Sequence, residues 1–179
     1  FIEAWQAANI ISTFAAGNDG PTCETLHSPG DYGNTFGVAG TDSNDREYGG
    51  SSRGRGLGTG IFPQQKPDLA APGEGVQSAY LPLDNSYIWL SGTSTAAPHV
   101  AGLAALMRSV DPGITYEEAR DIALSTAVTS TLDIDSGTWC GSEGLWPNYV
   151  FGHGRIDALA AVSETIRRAD IPWLSLEPV

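Results

Sequence analysis

Apolar positions fall into short runs before residue 92 and into longer stretches of helical period after it. At the start, Phe1, Trp5 and Ala8 share one helical face. The apolar run inside "NIISTFAAGNDGP" stops at turn residues and reads as a buried strand. A second such run, Thr35 to Gly40, lies in "NTFGVAGTD". Residues 43 to 67 are irregular and rich in Gly, Ser and Arg. "KPDLAAPGEGVQSAY" gives an extended piece, a Pro-Gly turn and a strand near Val76 to Tyr80, and "SYIWLSG" reads as another strand. Three helices follow. The first runs from Thr93 to Ser109, and the second from Thr115 to Ala127, opened by the capping box of Thr115 and Glu118. The third covers Ile156 to Arg168, with Ile156, Leu159, Ala160 and Ile166 on its inner face. Residues 128 to 150, with Trp139, Cys140 and Trp146, read as a long loop, and the tail after Asp170 as peripheral. This order predicts an α/β fold in one domain over residues 1–179, its sheet covered by helices on both faces.

Composition narrows the function classes. A chain of 179 residues, 41% hydrophobic and 17% charged, can bury one real core. Its 22 Gly and 11 Pro are dispersed and imply many tight turns. Nine basic against 21 acidic residues give a net charge of -12, which repels nucleic acid and anionic membrane surfaces. The acidity leaves room for calcium, although no loop has EF-hand spacing. No apolar stretch reaches the roughly 18 residues of a membrane span. The chain opens on Phe1 with no Met, basic region or cleavage site, so it reads as a mature product or excised fragment without a signal peptide of its own. Cys23 and Cys140 fit no metal pattern, and both free thiols and one disulfide stay open. A disulfide closing so long a loop would stabilise by about 4 kcal/mol in the chain-entropy picture. It would also imply an oxidising compartment.

The strongest chemical signal is "LSGTSTAAPHVAGLAAL", which places Ser94 at the mouth of an apolar helix. A serine there is ordinarily an N-cap. Here Gly92 permits close approach of another chain, Thr93 can take the cap, and Ala96 and Ala97 allow tight packing. A first-turn serine has an unpaired N–H at the positive end of the helix dipole, as a nucleophile whose amide also receives an oxyanion requires. "FAAGNDGP" supplies Asn18 at the end of a strand, where a side-chain amide could donate to the same charge. The same residues also suit a plain turn.

Taken together these stretches resemble the subtilisin-like serine peptidases, the subtilase family. "GTSTAAPHVAGLAALM" is similar to the family's nucleophile motif and "AAGNDGP" to its oxyanion-asparagine segment. "SPGDYGNTFGVAGTD", "KPDLAAPGEGVQS" and "FGHGRIDALAAV" follow in the family's order. The resemblance covers roughly residues 9 to 165 and is nearest the bacillopeptidase F-like branch. It implies a three-layer helix/parallel sheet/helix subtilisin-like fold, incomplete at the N-terminus. It implies Ser94 as nucleophile, with Asn18 and the Ser94 N–H as the oxyanion hole. Ala15, Ala16, Gly17, His27, Ser28 and Pro29 would form the substrate-binding walls. The substrate would be a peptide or protein, no cofactor would be required, calcium would be compatible, and the setting would be secreted or cell-surface.

In this family the triad runs Asp, His, Ser, with the first two ahead of the asparagine. None of the three histidines here matches the family's His-Gly-Thr-His motif. His99 lies five residues past Ser94, about 140° around the helix axis. His153 matches a turn before a helix, and His27 a wall of the specificity pocket. The expectation is a fragment of a catalytic domain that cleaves nothing alone, because Ser94 lacks a base. Its exposed sheet edge would favour self-association. Two departures stand out. Thr95 replaces a usual Met after the serine, and His27 replaces a small residue, which would either disfavour large aromatic P1 side chains or leave His27 facing solvent. One alternative is a non-catalytic binding or scaffold domain on the same fold. An α/β-hydrolase esterase fits less well, since Ser94 lacks the following x-Gly.

Overall fold

The computed structural model describes residues 1–56, 65–81, 83–134 and 139–169. The tail after Asp170 and part of the irregular 43 to 67 stretch lie outside the described residues. Among the described residues nine elements follow in chain order: α1 (Ile2–Ala7), β1 (Thr13–Ala15), β2 (Phe36–Thr41), β3 (Leu69–Pro72), β4 (Val76–Ala79), β5 (Tyr87–Leu90), α2 (Thr93–Val110), α3 (Tyr116–Ser125) and α4 (Ala158–Arg168). β1, β2 and β3 form a parallel sheet in that order, with Phe14 opposite Gly37 and Val38 opposite Leu69. β4 and β5 form a separate antiparallel hairpin that leads into α2.

Pattern explains the packing. α2 buries Thr93, Ala96, Ala97, Val100, Leu103, Ala104 and Met107, the spacing of one helical stripe. That stripe meets Phe36 and Val38 of β2 and Leu69 and Ala71 of β3. Small alanines at both surfaces bring the helix close to the sheet. α3 and α4 close the same core, α3 through Tyr116, Ala119, Ile122 and Ala123, and α4 through Ala161. The alternate residues of the strands face the other way, where Ala39 and Ala70 meet Ile134, Val150 and Phe151 of the long loop. Trp5 of α1 stacks on Phe14, with centroids 6.5 Å apart.

Some details differ from the sequence reading. Leu159 is 73% exposed, and Ala161, Thr165 and Ile166 are the buried residues of α4. The helix starts two residues later than its pattern suggested, capped by Asp157. β1 is only partly buried because its outer edge carries no strand among the described residues. The opposite edge, at β3, is bridged by Arg155. Thr115 and Glu118 make the full capping box at α3.

A buried ionic cluster ties the strands to α3. Lys66 and Asp68, both fully buried, pair with each other. Lys66 Nζ also donates to the Thr35 carbonyl at 2.7 Å. Asp68 accepts from the Gly37 N–H at 2.7 Å and from Arg120 at 2.6 Å. Burial pushes the Lys66 ammonium below its ordinary value, against the pull of Asp68.

Candidate active site

β1 ends beside the first turn of α2, and Gly17 and Asn18 continue from it. Gly17 sits at φ 113°, and a Cβ there would lie 2.7 Å from Ser52 Oγ and 3.0 Å from the His27 ring. Only glycine fits that position. Its N–H donates to Thr93 Oγ1 at 3.1 Å. The Thr93 hydroxyl lies 3.0 Å from the Gly17 carbonyl and 3.2 Å from Asn18 Oδ1, one of which takes its proton.

The Thr93 N–H donates to Asn18 Oδ1 at 2.8 Å. Asn18 thereby satisfies a first-turn amide of a helix 75 residues away in sequence. Gly92, not Thr93, is the N-cap of α2, and no side chain of the cap residue bonds to it. The sequence reading of Thr93 as the cap is corrected on this point, because Thr93 already has helical geometry and turns its hydroxyl onto Gly17.

With Oδ1 engaged, the Asn18 NH2 is the end left to face outward. Ser94, the second residue of α2, is exposed, and among the described residues its N–H has no hydrogen-bond partner. A Cβ at Gly92 would lie 3.1 Å from Ser94 Oγ and 3.5 Å from Asn18 Nδ2, so the hydroxyl and the amide flank one small space. Two N–H donors at the positive end of an 18-residue helix can there receive a negative oxygen. Pro98, inside α2, removes the amide that would otherwise bond to the Ser94 carbonyl. Thr95 anchors the turn from behind, its hydroxyl 3.0 Å from the Gly73 carbonyl and 2.8 Å from that of Gly92.

The other residues named from the sequence take distinct places. Ala15 is partly exposed, whereas Ala16 is fully buried, with its N–H donating to Val38 and its carbonyl accepting from His27. Ser28 is exposed and donates to Asp31 at 3.1 Å, and the Pro29 carbonyl accepts from Thr35 at 2.9 Å. His27 leans over Gly17 and pairs through Nε2 with Asp19, both side chains well exposed at 58% and 62%. His99 Nδ1 donates to the Thr95 carbonyl at 2.9 Å, which fixes its tautomer and holds the ring on its own helix. His153 sits by Arg120 and Asp68, half-buried, and burial with the Arg120 charge lowers its pKa. The Asp19 partner of His27 and the Thr93 clamp were missed in the sequence. The adjacency of Asn18 and Asp19 was the available hint for the former.

Cys23 and Cys140, 117 residues apart in sequence, form a disulfide. Among the described residues no group of three or more His, Cys, Asp or Glu could hold a metal ion. No described helix is long and apolar enough to cross a membrane.

Comparison with known proteins identifies the family. Residues 2–154 match the model of the subtilase family of peptidases. Bacillopeptidase F of Bacillus subtilis is 32% identical over 170 residues, covering 90% of this chain and 11% of that protein. Subtilisin Savinase of Lederbergia lenta is 33% identical over 160 residues, covering 89% of this chain and 49% of its own. Among solved structures, a protease of Pseudoalteromonas arctica superposes with a TM-score of 0.72 at 28% identity, over 92% of this chain and 45% of that one. Sphericase gives 0.68 at 26% identity, over 87% and 50%. The chain thus spans no more than about half the length of these relatives.

Proposed function

The chain belongs to the subtilase family, and from that premise we propose that it carries the nucleophile and the oxyanion hole of a serine endopeptidase. In this reading Ser94 Oγ attacks the scissile carbonyl of a peptide or protein. The Asn18 NH2 and the Ser94 N–H receive the developing oxyanion, and an acyl-enzyme forms on Ser94. The observation that carries the reading is the Thr93 N–H bond to Asn18 Oδ1, which leaves the Asn18 amide turned toward the serine.

Removing the Ser94 proton needs a general base. His27 is engaged by Asp19, and His99 by the Thr95 carbonyl. His153 stands by Arg120 and Asp68. None matches the family's His motif. Because none matches that motif, we assign the base and its orienting Asp to the whole protein outside these 179 residues, and expect no cleavage by the chain alone. The partly exposed outer edge of β1 would then also favour self-association of the isolated chain, visible as concentration-dependent sedimentation. Ala15, Gly17 and the exposed pair of Asp19 and His27 form the substrate wall, with Ala16, Ser28 and Pro29 holding it from behind. No step is assigned to a metal, and calcium remains compatible as a structural ion. The disulfide supports a secreted or cell-surface setting.

The test is hydrolysis of an unfolded protein by the whole protein and by its Ser94→Ala variant. Cleavage by the first and none by the second is expected. A whole protein that binds but never cleaves would instead be a scaffold on the peptidase fold.

A further inference from the structure

The segment from Asn18 to His27 lies along residues 50–55. Gly20 N–H donates to Gly50 O at 3.0 Å, Thr25 N–H to Arg53 O at 3.0 Å, and Ser52 N–H to Gly17 O at 3.0 Å. Asp19 N–H donates to Ser52 Oγ at 3.0 Å. Residues 50–55 in turn contact the long loop. Gly54 N–H donates to Tyr149 O at 3.2 Å, and the Arg55 guanidinium lies 6.0 Å from the Tyr149 ring centre. The loop is fixed to the sheet by Val150 and Phe151, which are buried against Ala39 and Ala70. Among the described residues no hydrogen bond joins 18–27 to 139–149 directly, and the bond between Cys23 and Cys140, whose Cα atoms lie 5.6 Å apart, joins the two segments where they meet.

Asn18 does not depend on that bond, since Thr93 holds it from α2. Asp19, Gly20, Thr25 and His27 each donate a backbone N–H to a residue outside the segment, so the bond at Cys23 fixes the stretch between those anchors. Pro21, Thr22 and Glu24 are exposed, as are Asp19 and His27 at either end. We propose that the disulfide is a positioning element for the substrate wall, and that reducing it loosens Asp19 and His27 while leaving Ser94 and Asn18 in place. Selectivity, not acyl transfer, becomes redox-dependent. A small dithiol supplies the two electrons. One thiolate attacks a sulfur of the pair to give a mixed disulfide, and the second thiol closes on it. Cys23 and Cys140 leave as thiols, and the reagent as its cyclic disulfide.

The inference rests on the reading of Ser94 above and on His27 facing the residue on the acyl side of the scissile bond (P1). It is tested in the whole protein with a P1 peptide library, before reduction, after reduction by a dithiol, after reoxidation, and in the Cys23→Ser/Cys140→Ser variant. Expected is a fall of about fivefold in the preference for small over large aromatic P1 residues, carried by KM. Reoxidation restores it, and labelling of Ser94 by a fluorophosphonate stays within about twofold throughout. An unchanged preference overturns the inference, as does labelling that falls in parallel with it. If the variant does not fold, the reversible reduction of the native protein still decides. Failure of the untreated protein to label at Ser94 would overturn the reading of the serine itself.

Discussion

The backbone N–H of Thr93 donates to the side-chain oxygen of Asn18 at 2.8 Å, joining the first turn of α2 to the turn that follows β1. One contact serves two ends. It satisfies a helix amide that has no partner within its own helix, and it orients the asparagine so that its NH2 faces the serine. The Thr93 hydroxyl reinforces the junction by accepting from Gly17 at 3.1 Å.

Thr93→Val removes the hydroxyl and keeps the backbone bond. One such hydrogen bond is worth about 1 kcal/mol, so turnover by the whole protein should fall between about three- and tenfold with KM little changed. Asn18→Ala removes the donor itself. Its expected loss is about 10²–10³ in kcat, a magnitude established on the asparagine of a subtilisin and carried over from it. Steady-state kinetics on one peptide substrate checks both. An unchanged kcat in Asn18→Ala contradicts the assignment.

His27 stands over Gly17, where a Cβ would come within 3.0 Å of its ring. Replacing it by glycine removes that wall. His27→Gly should raise kcat/KM for Phe and Tyr at P1 relative to Ala by about three- to tenfold, on the order of one lost methylene-scale steric contact. Profiling on a P1 library reads this directly. A native enzyme that already prefers Phe or Tyr would contradict it.

Asp68 accepts hydrogen bonds from three groups that the fold buries or half-buries: the Lys66 ammonium, the Gly37 N–H and the Arg120 guanidinium. Asp68→Asn leaves Lys66 charged and unpaired in the interior. A cost of about 3–5 kcal/mol is expected, read by chemical denaturation. The paired replacement of Lys66 and Asp68 by apolar residues should cost less than the single change.

Stability should fall as pH drops from neutral. Burial and the nearby Arg120 charge hold the His153 imidazole below its ordinary pKa in the folded protein. Below that value the unfolded chain binds a proton that the folded one does not, so protonation favours unfolding. The contribution is fully present above the unfolded pKa and is lost as pH falls toward the folded one. Denaturation midpoints at pH 7 and 5.5 should differ less in His153→Asn than in the native protein. An equal slope would contradict the assignment.

Much of this was legible in the sequence because it is local. The stripe of α2 follows from spacing, and the box of Thr115 and Glu118 from two residues three apart. The motifs around Ser94 and Asn18 are local too, and the structure brings the two residues together. What escaped is long-range. The engagement of Asn18 by Thr93 joins residues 75 apart and leaves no periodic trace, and the Cys23–Cys140 disulfide, 117 residues apart, stayed open between a bond and two free thiols for the same reason. Lys66, Asp68 and Arg120 looked like ordinary charges until the fold brought them together. Leu159 failed for a simpler reason. Ile166 is buried as expected, but Leu159 lies two residues, about 200° of helix, from the buried Ala161 and so points outward.

Whether Ser94 is a nucleophile whose base lies outside these 179 residues is decided by fluorophosphonate labelling with peptide mapping, run on the whole protein and on this chain alone. A stoichiometric adduct on Ser94 in the whole protein and negligible labelling of the isolated chain are expected. An unlabelled Ser94 in the whole protein, or a fully labelled one in the chain alone, would contradict that reading.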